Sequence, residues 1–174
     1  MSPHISGVAA TAPRAPWWRG VRGEWLVVLQ VVLIALGLFG PRTWPAIGLG
    51  PLPLTGGWPA AACAVMIAGV SLLIAGGASL GQRNLTPLPY PREGGQLVDT
   101  GAYSLVRHPM YGGGVIFAFG WTMWVRGPLT LVYTLALLGF VDVKSRREER
   151  WLRAKFPGYA AYQARVRKLI PFLY

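Results

Sequence analysis

Acidic side chains are scarce in this chain: 6 Asp or Glu stand among 174 residues, against 17 Lys or Arg. Charged residues of both signs make up 13% of the sequence, where a soluble domain carries about 25%. The shortage is also uneven, leaving long stretches with no charge at all. Together with 53% hydrophobic residues and a mean hydropathy of +0.40, that segregation predicts membrane spans rather than a soluble core. Cysteine occurs once, as Cys63 in an apolar run. This excludes an intrachain disulfide and a Cys-based zinc site, and Cys63 itself reads as a packed thiol. No metal site is expected. No zinc-finger, basic-zipper or RNA-binding signature accompanies the net charge of +11, so nucleic acid is set aside. The excess of cations suits segments that face anionic lipid.

Four uncharged runs are present. The first covers about residues 24–40, with Gln30 as its one strongly polar interior residue. An amide in that setting is expected to face another helix, since toward lipid it would be unpaired. Pro41 ends the run. The second, residues 58–80, is rich in Ala and Gly, which lets helices approach closely. Residues 82–106 form a polar connector whose prolines 87, 89 and 91 forbid a regular helix through its centre. Its length suggests that it covers something. The third run spans residues 109–125, and Arg126-Gly127-Pro128 makes a sharp turn. The fourth, residues 129–141, must continue as helix past Asp142 and Lys144 if it is to span. A charged helix from 144 to 156, a break at Pro157-Gly158 and a short helix over 159–168 complete an amphipathic tail of interfacial character.

The expected fold is therefore all-α: an integral membrane protein with about four transmembrane helices and a cytoplasmic helical C-terminal tail. It divides into a mobile N-terminal tail (1–23), the first two spans (24–81) and a C-terminal core (82–174). The N-terminal tail has three Arg, the second connector three, and the C-terminal tail nine Lys or Arg; the remaining connectors have one each, Arg42 and Arg126. The positive-inside bias then places both termini, and the second connector, on the cytoplasmic side. That puts the connector and the tail where they can build one site.

The stretch Gly101-Ala102-Tyr103-Ser104-Leu105-Val106-Arg107-His108-Pro109-Met110-Tyr111 sets Arg, His and two Tyr at the foot of the third run. Ionisable groups at a membrane boundary are costly to dehydrate, so they mark a candidate site. Pro109 suits the first helical position. His108 then sits beside free backbone N–H groups, where anions are attracted. A snorkelling Arg-His pair at a helix foot is the plainer alternative. The glycines after Tyr111 admit a ligand or, more simply, a packed helix. On the last long helix, Asp142, Ser145 or Arg146, Glu149, Leu152 and Phe156 share a face by 3–4 spacing. A carboxylate there can accept from a ribose diol, or simply pair with a neighbouring Arg.

The block from Gln96 through Gly112, the hairpin, Glu148-Glu149 with Leu152, Phe156-Pro157, Tyr159, Tyr162, Val166 and the closing Ile170-Pro171 resembles, in its order, the isoprenylcysteine carboxyl methyltransferase family. That family belongs to a wider group with the phospholipid methyltransferases. The likeness covers about residues 80–173 and is to a minimal bacterial-type member. It implies a membrane-embedded methyltransferase that uses S-adenosylmethionine (SAM). By that resemblance, Leu97, Val98, Tyr103, His108, Pro109, Met110, Tyr111 and Glu149 hold the cofactor. Arg107 and His108 belong to the reaction centre. A carboxylate acceptor needs no base; for an amine or hydroxyl, His108 or Asp142 would serve. Acceptor binding maps to Ser145 and its neighbour Arg146. Ser145 stands where the eukaryotic enzymes have a substrate-linked arginine; the flanking Lys144 and Arg146 could substitute for it, although helix geometry points them elsewhere. The implied partners are a lipophilic or lipidated acceptor, such as a prenylcysteine-like carboxylate, and membrane lipids. Two competing readings are an NADPH-dependent membrane reductase of the sterol-reductase type and a non-catalytic membrane interaction protein.

Overall fold

The computed structural model describes residues 23–86, 88, 94–171, 173 and 174. The N-terminal tail through residue 22, and the prolines 87, 89 and 91 of the connector, lie outside the described residues.

The described residues form five α-helices: α1 (Glu24–Phe39), α2 (Trp58–Asn84), α3 (Pro109–Val125), α4 (Pro128–Lys155) and α5 (Tyr159–Arg165). Short 3-10 turns occupy Pro45–Ile47 and Gly101–Ser104. Among the described residues there is no strand, only two isolated bridges, Trp44 with Leu49 and Val106 with Arg167. Prolines open α3 and α4 at their first positions, where a missing N–H costs nothing. The turn between them puts Arg126 in the left-handed region, at φ 54°. It is held by Leu52, whose N–H donates to the Arg126 carbonyl and whose carbonyl accepts from Arg126 Nε, both at 2.8 Å.

α3 and α4 form a central hairpin, with α2 packed on α3 and α1 on α4. The α2–α3 seam explains the small residues of both helices. A Cβ on Gly69 would stand 2.5 Å from the Phe117 nitrogen, and one on Gly113 would stand 2.6 Å from the Gly69 carbonyl oxygen. Backbone therefore meets backbone along this contact. Gly112 lies against the Leu169 carbonyl in the same way, whereas Gly114 has open space beside it. Of the glycines after Tyr111, two thus serve packing and one faces a cavity.

Trp58–Gln82 and Pro128–Lys155 are long and apolar enough to cross a membrane. α4 runs unbroken past Asp142 and Lys144. α1 and α3 have 16 and 17 residues, about 24 and 26 Å at 1.5 Å per residue, below the ~30 Å of a typical hydrocarbon core. Two of the four expected spans therefore meet the length requirement. Large apolar side chains remain exposed around the bundle, including Val31, Phe39, Ile67, Ile74, Val132 and Leu135. A surface of that kind suits lipid better than water. Gln30 does face a helix, accepting a hydrogen bond from Lys144 Nζ on α4.

The tail departs from expectation in one respect. The last helix ends at Arg165, short of 168. Residues 166–168 are instead drawn out beside the foot of α3: the Arg107 N–H donates to the Arg167 carbonyl at 2.8 Å and the His108 N–H to that of Lys168 at 3.0 Å. Leu169 then enters the core formed by Val115, Leu137 and Val141. Pairing with the α3 foot and burial of Leu169 outweigh one further helical turn.

Candidate active site

The connector, the foot of α3, the C-terminal part of α4 and α5 converge on one cavity of about 330 Å³. Side-chain anchors hold the connector over it. Gln96 N–H donates to Asn84 Oδ1 at 2.8 Å, Ala102 N–H to Ser79 Oγ at 3.1 Å, and Arg165 pairs with Asp99 at 2.5 Å. The Tyr162 hydroxyl donates to the Tyr103 carbonyl at 2.7 Å. Leu97 and Tyr103 pack with Leu152, Phe156, Tyr159 and Tyr162 into an apolar and aromatic cluster. Burial raises the Tyr103 and Tyr162 phenols well above the ordinary tyrosine range, so both are neutral donors at physiological pH.

Arg107 and His108 are bound to the helix opposite. Glu149 Oε1 receives Arg107 Nε at 2.8 Å and lies 3.1 Å from His108 Nε2, while Oε2 accepts from Gln163 Nε2 at 2.8 Å. The Arg107 guanidinium also reaches the Gln163 and Val166 carbonyls. With side-chain exposures of 11% for Arg107 and 6% for Glu149, this ion pair is largely shielded from water and ties three elements together. His108 caps α3: its carbonyl accepts from the Gly112 N–H at 2.9 Å. Its ring stacks on Tyr111, with centroids 5.5 Å apart. The Tyr111 hydroxyl donates to Glu148 Oε2 at 2.9 Å.

Of the residues singled out from sequence, Leu97, Val98, Tyr103, Arg107, His108, Met110 and Tyr111 line this cavity. Pro109 is buried at the start of α3 and faces Gly76 of α2. Glu149 is engaged by Arg107, His108 and Gln163, and the carboxylate on the wall is that of Glu148. Asp142, Ser145 and Arg146 are not brought to the cavity. Asp142 binds Lys168 Nζ at 2.5 Å, Arg146 Nε at 2.8 Å and the Tyr174 hydroxyl at 2.8 Å. The Ser145 hydroxyl donates to the Asp142 carbonyl within the helix, and Arg146 is exposed. The cavity register of α4 is instead Lys144, Glu148 and Leu152, followed by Phe156. Sequence reading did not select Gln30, Lys144, Glu148, Tyr159 or Tyr162 as site residues. The signal for the last pair was the i, i+3 spacing of two tyrosines in a basic tail.

A second cavity, of about 340 Å³, adjoins the first inside the bundle and is walled by α1, α2, α3 and α4. Its walls are mostly apolar, with Leu33, Val70, Leu73, Val115, Leu137 and Val141 among them. Gln30, Ile34, Met110 and Tyr111 belong to both. Among the described residues, no three His, Cys, Asp or Glu side chains gather as a metal ion would require.

Residues 58–158 match the phospholipid methyltransferase family. Over 152 residues, 87% of this chain, the sequence is 32% identical to the cobalt-zinc-cadmium resistance protein CzcN of Cupriavidus metallidurans, covering 63% of that protein. Over 80 residues, 45% of this chain, it is 36% identical to the probable protein-S-isoprenylcysteine O-methyltransferases of Oryza sativa, subspecies indica and japonica, covering 42% of each. The chain thus spans less than two thirds of the length of these relatives.

Proposed function

Since the chain belongs to the phospholipid methyltransferase family, we propose that it transfers a methyl group from SAM to a lipophilic acceptor, with the aromatic cavity as donor site and the apolar cavity as acceptor site. The observation that carries this reading is the junction itself: an aromatic and aliphatic chamber that also carries Arg107, His108, Lys144 and Glu148 shares Gln30, Ile34, Met110 and Tyr111 with a neighbouring chamber lined by no charged side chain. A methyl donor and a lipid would meet there without either crossing the other's environment.

The residues present fit the cofactor. Tyr159 lines the donor cavity, and its hydroxyl is buried with no partner among the described residues. A ligand rich in hydrogen-bonding groups would supply one. The rings of Tyr103, Tyr111, Phe156 and Tyr162 offer faces for a base and for a cation. Glu148 contributes a carboxylate on the same wall. The start of α3, with Arg107 beside it, suits the carboxylate end of an amino acid. When bound, SAM supplies an electrophilic methyl group on a positive sulfonium. The chain supplies alignment and exclusion of water. Leu97 and Val98 close the connector over the site, and Glu149 holds Arg107 and His108 in place. For an acceptor that must lose a proton, His108 is the cavity group able to take it.

Both termini and this cavity belong on the cytoplasmic face under this reading. The matched family does not favour the NADPH reductase alternative. Calorimetry on the detergent-purified protein tests the proposal: S-adenosylhomocysteine binds and NADPH does not. Binding of NADPH alone, or of neither, overturns it. Transfer of label from SAM to a panel of prenylcysteines, quinone precursors and membrane lipids then identifies the acceptor.

A further inference from the structure

α4 has a second working face, turned away from both cavities. Val143, Arg146, Arg150 and Arg153 line an open groove of about 960 Å³ on that side. Their 3-4-3 spacing keeps them together, and at about 100° per residue they lie opposite Lys144, Glu148 and Leu152 of the aromatic cavity. The tail supplies the other wall, from Gln163 to Lys168 and again at Leu173 and Tyr174.

Seven of the side chains lining this groove are cationic and one, Glu149, is acidic. Ion pairing does not cancel that excess. Arg107 is bound to Glu149, Arg146 and Lys168 share Asp142, and Arg165 pairs with Asp99. Arg153 donates to the neutral amide of Gln163. Arg150 and Arg167 are exposed and make no ion pair with any described residue. The groove also straddles a boundary of polarity. Val143 lies just past the uncharged run of α4, and it and Leu173 are 63% and 76% exposed. The Tyr174 hydroxyl donates to Asp142 at 2.8 Å, which brings the end of the tail to the level of Val143. Arg146, Arg150 and Arg153 follow over about 15 Å of helix. Apolar side chains where the helix leaves the lipid, then guanidinium groups just beyond, match the order of acyl chain and phosphate in a phospholipid.

We infer that this groove holds an anionic phospholipid as a resident ligand, with Arg150 and Arg167 on its phosphate and Val143 and Leu173 against its chains. The inference rests on α4 crossing the membrane and not on methyl transfer. The groove and the aromatic cavity lie on opposite sides of α4, so a lipid seated here is not the methyl acceptor. A guanidinium meets a phosphate through paired N–H donors. A choline head would bring a further cation into a surplus of cations, whereas an uncharged glycerol head leaves the phosphate charge to be met. A free phosphate or a nucleic acid would satisfy the arginines but make no use of Val143 and Leu173. Arg107 lines both the groove and the aromatic cavity. A lipid bridging α4 and the tail therefore braces the same frame that Arg107 and Glu149 hold from within, and its binding stabilises the folded protein.

The test titrates the detergent-purified full chain with dihexanoylphosphatidylglycerol below its micelle concentration, read by calorimetry and by melting temperature. The wild-type protein binds it ten-fold or more tightly than dihexanoylphosphatidylcholine and than glycerol phosphate, and its melting temperature rises. The double variant Arg150→Gln with Arg167→Gln weakens this binding ten-fold or more and keeps the lipid-free melting temperature of the wild type. Arg147→Gln with Lys155→Gln removes the same charge outside the groove and leaves the affinity within three-fold. A smaller preference over the choline lipid in the wild-type protein overturns the inference without any variant. Glycerol phosphate binding as tightly as the lipid overturns it by making the groove a site for a soluble anion. An oligouridylate that binds more tightly than the lipid and displaces it assigns the groove to nucleic acid instead. Equal loss in the two double variants shows a diffuse attraction of charge and no built site, which also overturns it.

Discussion

Glu148 and Glu149 leave α4 about 100° apart, and their surroundings divide accordingly. Glu149 gathers Arg107, His108 and Gln163, while Glu148 faces the cavity and takes the Tyr111 hydroxyl. Removing Glu149 leaves a guanidinium largely shielded from water and unpaired, so Glu149→Ala is expected to destabilise the folded protein by about 3 kcal/mol. Thermal unfolding in detergent reads this as a clear fall in melting temperature. Arg146→Ala, at an exposed ion pair with Asp142, leaves the melting temperature unchanged. Binding separates the roles further. His108→Ala and Glu148→Gln each weaken S-adenosylhomocysteine about ten-fold or more, the effect of losing hydrogen bonds that involve a charged group. Unchanged affinity in both would remove these residues from the cofactor site. The run from Arg107 to Tyr111 was legible in sequence because polar groups at the foot of an apolar segment need a reason to be there. Lys144 and Glu148 were not, because 3–4 spacing defines a face without saying which way that face turns.

At the scale of elements, α2 and α3 are joined through glycine, and the glycines after Tyr111 differ in what they meet. Gly113→Ala places a methyl group against the backbone of α2, and overpacking of that kind costs about 1–3 kcal/mol. Gly114→Ala has open space, on the wall of the apolar cavity. It is expected to keep the wild-type melting temperature while narrowing the acceptor chamber. Side-by-side thermal unfolding of the two variants checks the difference; equal destabilisation would mean that the seam is not where the structure puts it. The bounds of α1, α3 and α4 followed from Pro, Gly and the uncharged runs, which act locally. The early end of α5 did not, since it depends on residues 166–168 pairing with the foot of α3, some sixty positions back in the chain.

On the scale of the whole molecule, charge and aromatic placement argue for one orientation. The end of the bundle bearing the single cations Arg42 and Arg126 also bears tryptophans: Arg42 lies over Trp121 and Arg126 over Trp58, a pattern suited to a membrane interface. The opposite end carries the connector, the tail and the charged groups of the aromatic cavity. Reporter fusions at the N-terminus and at the C-terminus are expected to report the cytoplasm for both; opposite sides would exclude an even number of spans and the proposed position of the site. The sequence by itself determined an all-helical chain of apolar runs, the turn between α3 and α4, and the polar cluster at the foot of α3, because hydropathy, proline and helix period act over neighbouring residues. Only the tertiary structure decided that Glu149 holds the frame while Glu148 and Lys144 face the cavity, and that an apolar chamber adjoins the aromatic one. Those outcomes depend on how far each helix is rotated against its neighbours. Rotation is settled by packing across the whole bundle, such as glycine against backbone on α2 and α3 and Gln30 against Lys144 on α1 and α4.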